Sequence, residues 1–411
     1  MKLPKGWEIV SLEKVAKIQT GLAKGKKDQK NVVSLPYLRV ANVQDGYLDL
    51  SEIKEIEVDS SQVNRYLLQN EDILLTEGGD FDKLGRGGIW HCQINPCLHQ
   101  NHVFAVRVNR ENLIPYFFAQ QVSSFYGKAY FLSCAKQTTN LASINSTQLK
   151  KFPVLLPPLL EQCKIVEILG IWDESIDLLE RLIGKTRSRK QGLMQQLLTG
   201  KKRFKEFEGS EWKIIVFNQI IDKCFDYRGR TPLKIGMEWG DGNIPALSAS
   251  NVRMGKIDFD RECYFASTEL YKKWMTQGDL EKGDVLLTTE APLGTVAQVP
   301  DNELYILSQR VIAIRPKPEL LNKSFLFHSM ISKEFQDELD KNSSGSTAKG
   351  IQRKRLEKII IKIPSLPEQE KIAAVLSAAD EEISTLEKQL AAYKQQKLGL
   401  MQQLLTGKIR V

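Results

Sequence analysis

The chain has 411 residues with a formal net charge of +8; 42% are hydrophobic, 26% charged and 8% aromatic. That length exceeds one ordinary domain, and that composition belongs to a core-forming protein, not to a disordered or low-complexity one. The longest run of apolar residues and prolines, Val154 to Leu160, is far short of the roughly 20 residues that span a bilayer, and Met1 to Glu8 contains no apolar signal-peptide core, so the expectation is a cytoplasmic protein with no membrane role.

In chain order, residues 1–155 read as short strands broken by Gly, Asn and Asp, with strand candidates at Tyr37–Val43, Asp72–Thr76 and Val103–Val108. A proline pair, Pro157-Pro158, opens a long proline-free stretch that stops at Thr199-Gly200. Short strands return over 204–362, with candidates at Ile244–Ser248, Asp284–Thr288 and Val311–Ile314. A second proline-free stretch follows Pro364 and Pro367 and stops at Thr406-Gly407. The expected organisation is an α/β (α+β) domain over 1–155, a long helix within 156–203, a second such domain over 204–362 and a second long helix within 363–411. Six cysteines (92, 97, 134, 163, 224 and 263) are too scattered for a disulfide framework, which fits a reducing compartment.

The chain is written twice. Gly192 to Lys201 recurs unchanged as Gly399 to Lys408, at an offset of 207 residues. Upstream, Glu161, Gln162, Lys164 and Ile165 match Glu368, Gln369, Lys371 and Ile372, and Asp173 and Glu180 match Asp380 and Glu387. The β-rich regions diverge, but landmarks survive: Trp7 answers to Trp212, Pro36–Val43 to Pro245–Val252, Asp72–Thr76 to Asp284–Thr288, and Val103–Arg107 to Val311–Arg315.

Within the two constant blocks apolar residues alternate at spacings of four and three. The first series is Ile165, Leu169, Trp172, Ile176, Leu179 and Ile183, resuming at Leu193 and Leu197. The second contains Ile372, Leu376, Ala379, Ile383, Leu386 and Leu390, resuming at Leu400 and Leu404. That period is the seam of a coiled coil, and each stripe needs a partner. Charge is also segregated. Residues 161–180 hold six acids and one base, whereas 181–203 hold eight bases and no acid; 368–387 hold six acids and one base, whereas 388–411 hold five bases and no acid. Complementarity to the helix dipole accounts for that order. Antiparallel pairing, acidic half against basic half in a pseudo-two-fold arrangement, accounts for it too.

Between the matched strands lie loops that differ sharply. In the first copy they carry Lys24, Lys26, Lys27, Lys83, Arg86, Lys136, Gln137, Thr138 and Asn140; Arg39 and Asn42 lie in the Pro36–Val43 landmark. In the second copy the candidates are Tyr227, Arg228, Arg230, Thr231, Asn251, Thr289, Ser344, Ser346, Thr347 and Lys349. Arg, Lys, Asn and Gln pair with base edges, and hydroxyls hold phosphates. Any one loop by itself reads more readily as a solvated turn than as a contact; one scaffold with divergent basic loops points to two related binders for different targets. No phosphate-binding G-x-x-x-x-G-K-[ST] loop appears, and with four histidines no catalytic constellation is found. His91, Cys92, Cys97, His99 and His102 could supply zinc ligands, but the matching stretch Gln309–Arg315 has neither Cys nor His, so no metal site is expected.

These features resemble the specificity subunits of type I restriction–modification enzymes. The resemblance rests on Leu3-Pro4-Lys5-Gly6-Trp7 near the start, Pro158 to Ile165 and Leu366 to Ile372 opening the helices, the twice-written Leu-Met-Gln-Gln-Leu-Leu-Thr-Gly-Lys, and Arg228-Gly229-Arg230-Thr231-Pro232. Leu160 stands where the second copy has Pro367. The resemblance implies two target-recognition domains, each reading one half of an asymmetric bipartite site in double-stranded DNA. It implies an antiparallel coiled coil that spaces them and docks two modification (methyltransferase) subunits, with restriction subunits joining the full complex. The chain itself would be non-catalytic, and S-adenosylmethionine and ATP would belong to the partners. The other class of reading is a stand-alone coiled-coil DNA-binding regulator.

Overall fold

The computed structural model describes residues 3–23, 31–79, 84–137, 142–345 and 349–411, with Gln137 known by its backbone alone. The chain forms two compact units, one of residues 1–180 with 388–411, the other of residues 181–387. Each unit therefore combines one β-rich domain with part of both long helices.

In the first unit the central sheet is antiparallel, in the order Ala16–Thr20, Val103–Val108, Ile73–Thr76, Gly87–Ile89. Its two middle strands are almost wholly buried. A second sheet runs Lys54–Asp59, Val32–Leu38, Leu98–His99, the last pair being parallel. The second unit repeats the plan: Ile221–Asp226, Val311–Pro316, Val285–Thr289, Leu293–Gln298 in the central sheet, and Phe265–Ala266, Ile244–Leu247, Ile306–Leu307 in the other. In both, a strand near the domain start pairs with one just before the long helix, Glu8–Ser11 with Pro153–Leu156 and Lys213–Val216 with Ile360–Ile363.

The Tyr37–Val43 expectation is corrected in a specific way. The strand is Val32–Leu38, and Val40–Asn42 is a 3-10 turn. Asn42 imposes it: its Oδ1 accepts from Arg39 N at 2.9 Å while its Nδ2 donates to the carbonyls of Asp49 and Glu52. Asn251 does the same work in the second unit, accepting from Ser248 N at 2.8 Å and donating to Ala246 O. Side-chain bonds of this kind divert the backbone from a strand ladder.

Strand register in each central sheet is locked by an ion pair built on a buried aspartate. Asp72 is fully buried and takes Arg107 in bidentate fashion, at 2.8 and 2.7 Å. Asp284, equally buried, takes Arg315 at 3.0 and 2.6 Å. A planar guanidinium fits a carboxylate in this fork geometry. Both pairs sit at one end of the two central strands; the loops after Thr76 and Thr289 leave from the other.

The long helices are Leu159–Leu197 and Leu366–Leu404, 39 residues each. Their first turns are pinned by a glutamine that bridges the break in the chain. Gln162 accepts from Ile114 N and donates to Asn112 O and Pro157 O, all at 2.9 Å. Gln369 accepts from Asn322 N and donates to Leu320 O and Pro364 O at 2.9 to 3.0 Å. In the first unit Ile165 and Leu169 are fully buried in a core that includes Phe117, Phe118, Met401 and Leu404. In the second unit Ile372 and Leu376 share a core with Leu193, Leu197, Phe325 and Met330. Trp172, Ile176, Ile383, Leu386, Leu390 and Leu400 are half-buried, and Leu179 and Ile183 are buried.

Ion pairs fix the antiparallel sense within each unit. In the first, Glu161 pairs with Arg410, Asp173 with Lys397 and Glu180 with Lys394, and Tyr393 packs edge-on against Trp172 at 5.4 Å. In the second, Arg187 pairs with Glu387, Lys190 with Asp380 and Arg203 with Glu368. Shifted by the 207-residue offset, the three pairs of one unit become those of the other. Among the described residues no helix is long and apolar enough to cross a membrane.

Candidate nucleic-acid interface

The divergent loops of each unit converge at one end of its central sheet. In the first unit, Thr20 ends the outer strand; Leu22 N then donates to His99 O at 2.8 Å, and Asn101 N to Leu22 O at 3.0 Å. Gly78-Gly79 pairs with Ala142-Ser143, which pairs with Lys136-Gln137. Glu77 N bonds His102 O, and Ile144 N bonds Glu77 O. Gly78 serves close approach, since a Cβ there would stand 2.8 Å from Ala142 O.

In the second unit Thr289 N bonds Arg310 O, Ile351 N bonds Thr289 O, and Glu290 bridges Gly350. Arg228 spans two of the loops: its guanidinium clasps Asp226 at 2.8 and 2.6 Å and reaches Ile351 O at 3.4 Å. Burial opposes ionisation of Asp226, yet the hydrogen bonds and charge of Arg228 outweigh it and hold the carboxyl below its usual range. Arg230 lies over the Tyr227 ring at 5.4 Å and donates to Trp274 O at 2.6 Å.

Several expected contact residues belong to the scaffold instead. Asn42 and Asn251 are buried in the turns described above. Tyr227 is 2% exposed, with its hydroxyl accepting from Gln277 N. Thr289 is also 2% exposed and donates to Arg310 O. Side chains this enclosed are consumed by their own domain's backbone and present nothing to a base edge. Arg39 is mostly buried and turned toward Glu52. Arg86 is half-buried and donates to Gln44 Oε1 at 2.6 Å.

Lys136, Ser344 and Lys349 are exposed on the cluster, Lys349 pairing with Asp340 at 2.5 Å, and Thr231 is half-buried beside it. Gln137 contributes backbone pairing with Ala142. Lys24, Lys26, Lys27, Lys83, Thr138, Asn140, Ser346 and Thr347 lie outside the described residues.

The tertiary structure adds residues that composition alone did not single out. Asn101 and His102 in the first unit, and Gln309 and Arg310 in the second, form the turn entering the buried central strand. Their signal was positional: each pair immediately precedes a matched strand. His102 Nδ1 lies 2.6 Å from Glu77 Oε2, and Arg310 Nε 3.6 Å from Glu290 Oε1. The cysteine–histidine group is dispersed. His99 is buried against Val103 O, with burial the main cause lowering its pKa to about 4, while His91 and Cys92 are exposed. Among the described residues no three His, Cys, Asp or Glu side chains are grouped to hold a metal ion.

Two copies of one scaffold, each carrying its own set of variable loops at the same end, define a tandem recognition protein. The model of the type I restriction modification DNA specificity domain matches the chain twice, over residues 4–185 and 209–393. The chain belongs to this family, and its role is that of a DNA specificity subunit. A putative type I restriction enzyme specificity subunit, MjaX of Methanocaldococcus jannaschii, is 28% identical over all of this chain and 95% of its own length. The EcoKI specificity subunit of Escherichia coli is 26% identical over 48% of this chain and 42% of its own. Two solved structures share the fold. One, from work on complex assembly and conformational transition of the type I R-M system, has a TM-score of 0.60 at 17% identity and full coverage of both chains. The other, the type I restriction–modification S subunit of M. genitalium, has a TM-score of 0.57 at 13% identity, covering 98% of each chain.

Proposed function

We propose that the chain is the non-catalytic DNA-reading subunit of a cytoplasmic type I restriction–modification complex, and that each unit reads one half of an asymmetric bipartite site. The observation that carries this reading is the pairing of a duplicated scaffold, whose three helix ion pairs recur at one offset, with loop ends that differ in sequence. Conserved positioning with variable contacts is what two related readers of different half-sites require. The two helices set the spacing and dock two modification subunits, with restriction subunits joining the full assembly. S-adenosylmethionine and ATP are held by those partners.

The test is expression with the modification subunits of the same genome, followed by mapping of methylated sites. Replacing residues 1–155 by those of a family member is expected to change one half-site and leave the other intact. Inserting one heptad between 165 and 197 is expected to change the spacer or abolish modification without altering either half-site. A single continuous methylated site, or a swap that rewrites both halves, would sink the reading. DNA binding by the complex is also expected to fall steeply with salt as phosphate contacts release counterions.

A further inference from the structure

The turn before the buried central strand is anchored by matching backbone bonds in both units. Leu98-His99 pairs in parallel with Tyr37-Leu38, and Ile306-Leu307 with Ala246-Leu247. Gln100 N then donates to Leu38 O at 2.9 Å, and Ser308 N to Leu247 O at 2.8 Å. Thr76 faces Val103 and Thr288 faces Val311 in the central ladders. His102 and Arg310 are therefore equivalent, each fixed through its own carbonyl to the neighbouring loop, at Glu77 N and Thr289 N. The side chains differ, and so does the local backbone: Arg310 is left-handed and His102 is not, and Val103 N donates to Gln100 O at 2.8 Å.

Arg310 holds a φ of 64°, a left-handed backbone that residues other than Gly, Asn and Asp seldom adopt. Its side chain is 52% exposed and stands beside Glu290, itself 54% exposed. An exposed pair of this kind is held weakly in water and yields to a better-aligned acceptor. The edge of guanine offers one, because O6 and N7 match the guanidinium fork.

Resting on the reading of the chain as a DNA specificity subunit, we propose that Arg310 is a specificity-determining residue of the second unit, reading a guanine in the major groove. Glu290 aligns the guanidinium before DNA arrives. His102, facing Glu77, occupies the same station in the first unit, so the two half-sites differ at the position this turn reads.

The experiment maps methylated sites in cells carrying the modification subunits with the wild-type chain, Arg310→Gly, Arg310→Lys or His102→Ala. Glycine takes a φ of 64° without strain, so Arg310→Gly removes the side chain and keeps the turn. It is expected to relax one guanine position of one half-site, with preference there falling about tenfold or more. Arg310→Lys, a single point charge, is expected to relax the same position less, and His102→Ala to leave it untouched. An unchanged site with Arg310→Gly overturns the proposal. So does a uniform loss across all site variants, which marks a phosphate contact. A wild-type complex with no bipartite site overturns the reading of the whole chain, and this proposal with it.

Discussion

The two units reach the same arrangement by different routes along the chain. In the second, Arg203 and Trp212 follow the first long helix directly, and Arg203 clasps Glu368 at 2.8 and 2.5 Å. In the first, Arg410 comes from the last residues of the chain and Trp7 from the first, yet both meet Glu161, at 2.8 and 3.1 Å. Trp7 also lies against Gly407 as Trp212 lies against Gly200. Spatial position, not chain connectivity, has been kept through the duplication. Where the units differ, the difference is local: the indole nitrogen of Trp212 is buried with no hydrogen-bond partner among the described residues, whereas that of Trp7 is satisfied.

The sharpest break of this likeness is expected at the buried aspartates. Removing one partner of a buried pair costs about 3–5 kcal/mol because the other charge is stranded. Arg107→Ala is expected at the low end of that range, read as lost hydrogen-exchange protection in Ile73–Thr76, since the guanidinium is partly exposed and Asp72 keeps the bond from Gln69 N. Arg315→Ala is expected to cost roughly half as much in Val285–Thr289, since Lys323 remains 2.9 Å from Asp284. Equal losses would show that Lys323 compensates nothing.

The bridging glutamines test sameness instead. Gln162→Ala and Gln369→Ala are each expected to cost about 2–3 kcal/mol, by orphaning buried backbone groups at the helix start. Protection of the first helical turns should fall equally in both units.

A pH titration tests the Glu161 cluster. Burial raises the Glu161 carboxyl, but hydrogen bonds from Arg410 and Trp7 win and hold it below its usual range. Its contribution is therefore fully present above the unfolded value of about 4.3 and is lost as pH falls through the lower folded value. Acid unfolding of the first unit should show this step, and Glu161→Gln should remove it.

Smaller effects belong to the helix pairs. Lys190 and Lys397 are 14% and 15% exposed against Asp380 and Asp173, and replacing either by Met is expected to cost about 1 kcal/mol. Breaking the exposed Arg187–Glu387 or Lys394–Glu180 pair should cost under about 0.5 kcal/mol and vanish in high salt. Thermal unfolding of single and paired variants would order them.

Much of this was legible along the chain. Exact recurrence at one offset announced the duplication, and apolar spacing marked both helices because burial against one partner imposes a period. Strands such as Val103–Val108 were plain because both faces are buried. The loops were harder. Asn42, Asn251, Tyr227 and Thr289 have the composition of contact residues, and nothing local distinguishes an asparagine that meets a base from one that closes a turn.

The sequence by itself determined the repeat, the order of domains and helices, and the acid-to-base polarity that antiparallel pairing satisfies. Tertiary structure decided which polar side chains face outward and which loops share an end. It brought Arg310 beside Glu290 and His102 beside Glu77, residues 20 and 25 positions apart in the sequence. The physical reason is that a polar group's fate depends on backbone donors and acceptors supplied from distant segments, and these are placed only when the sheet closes.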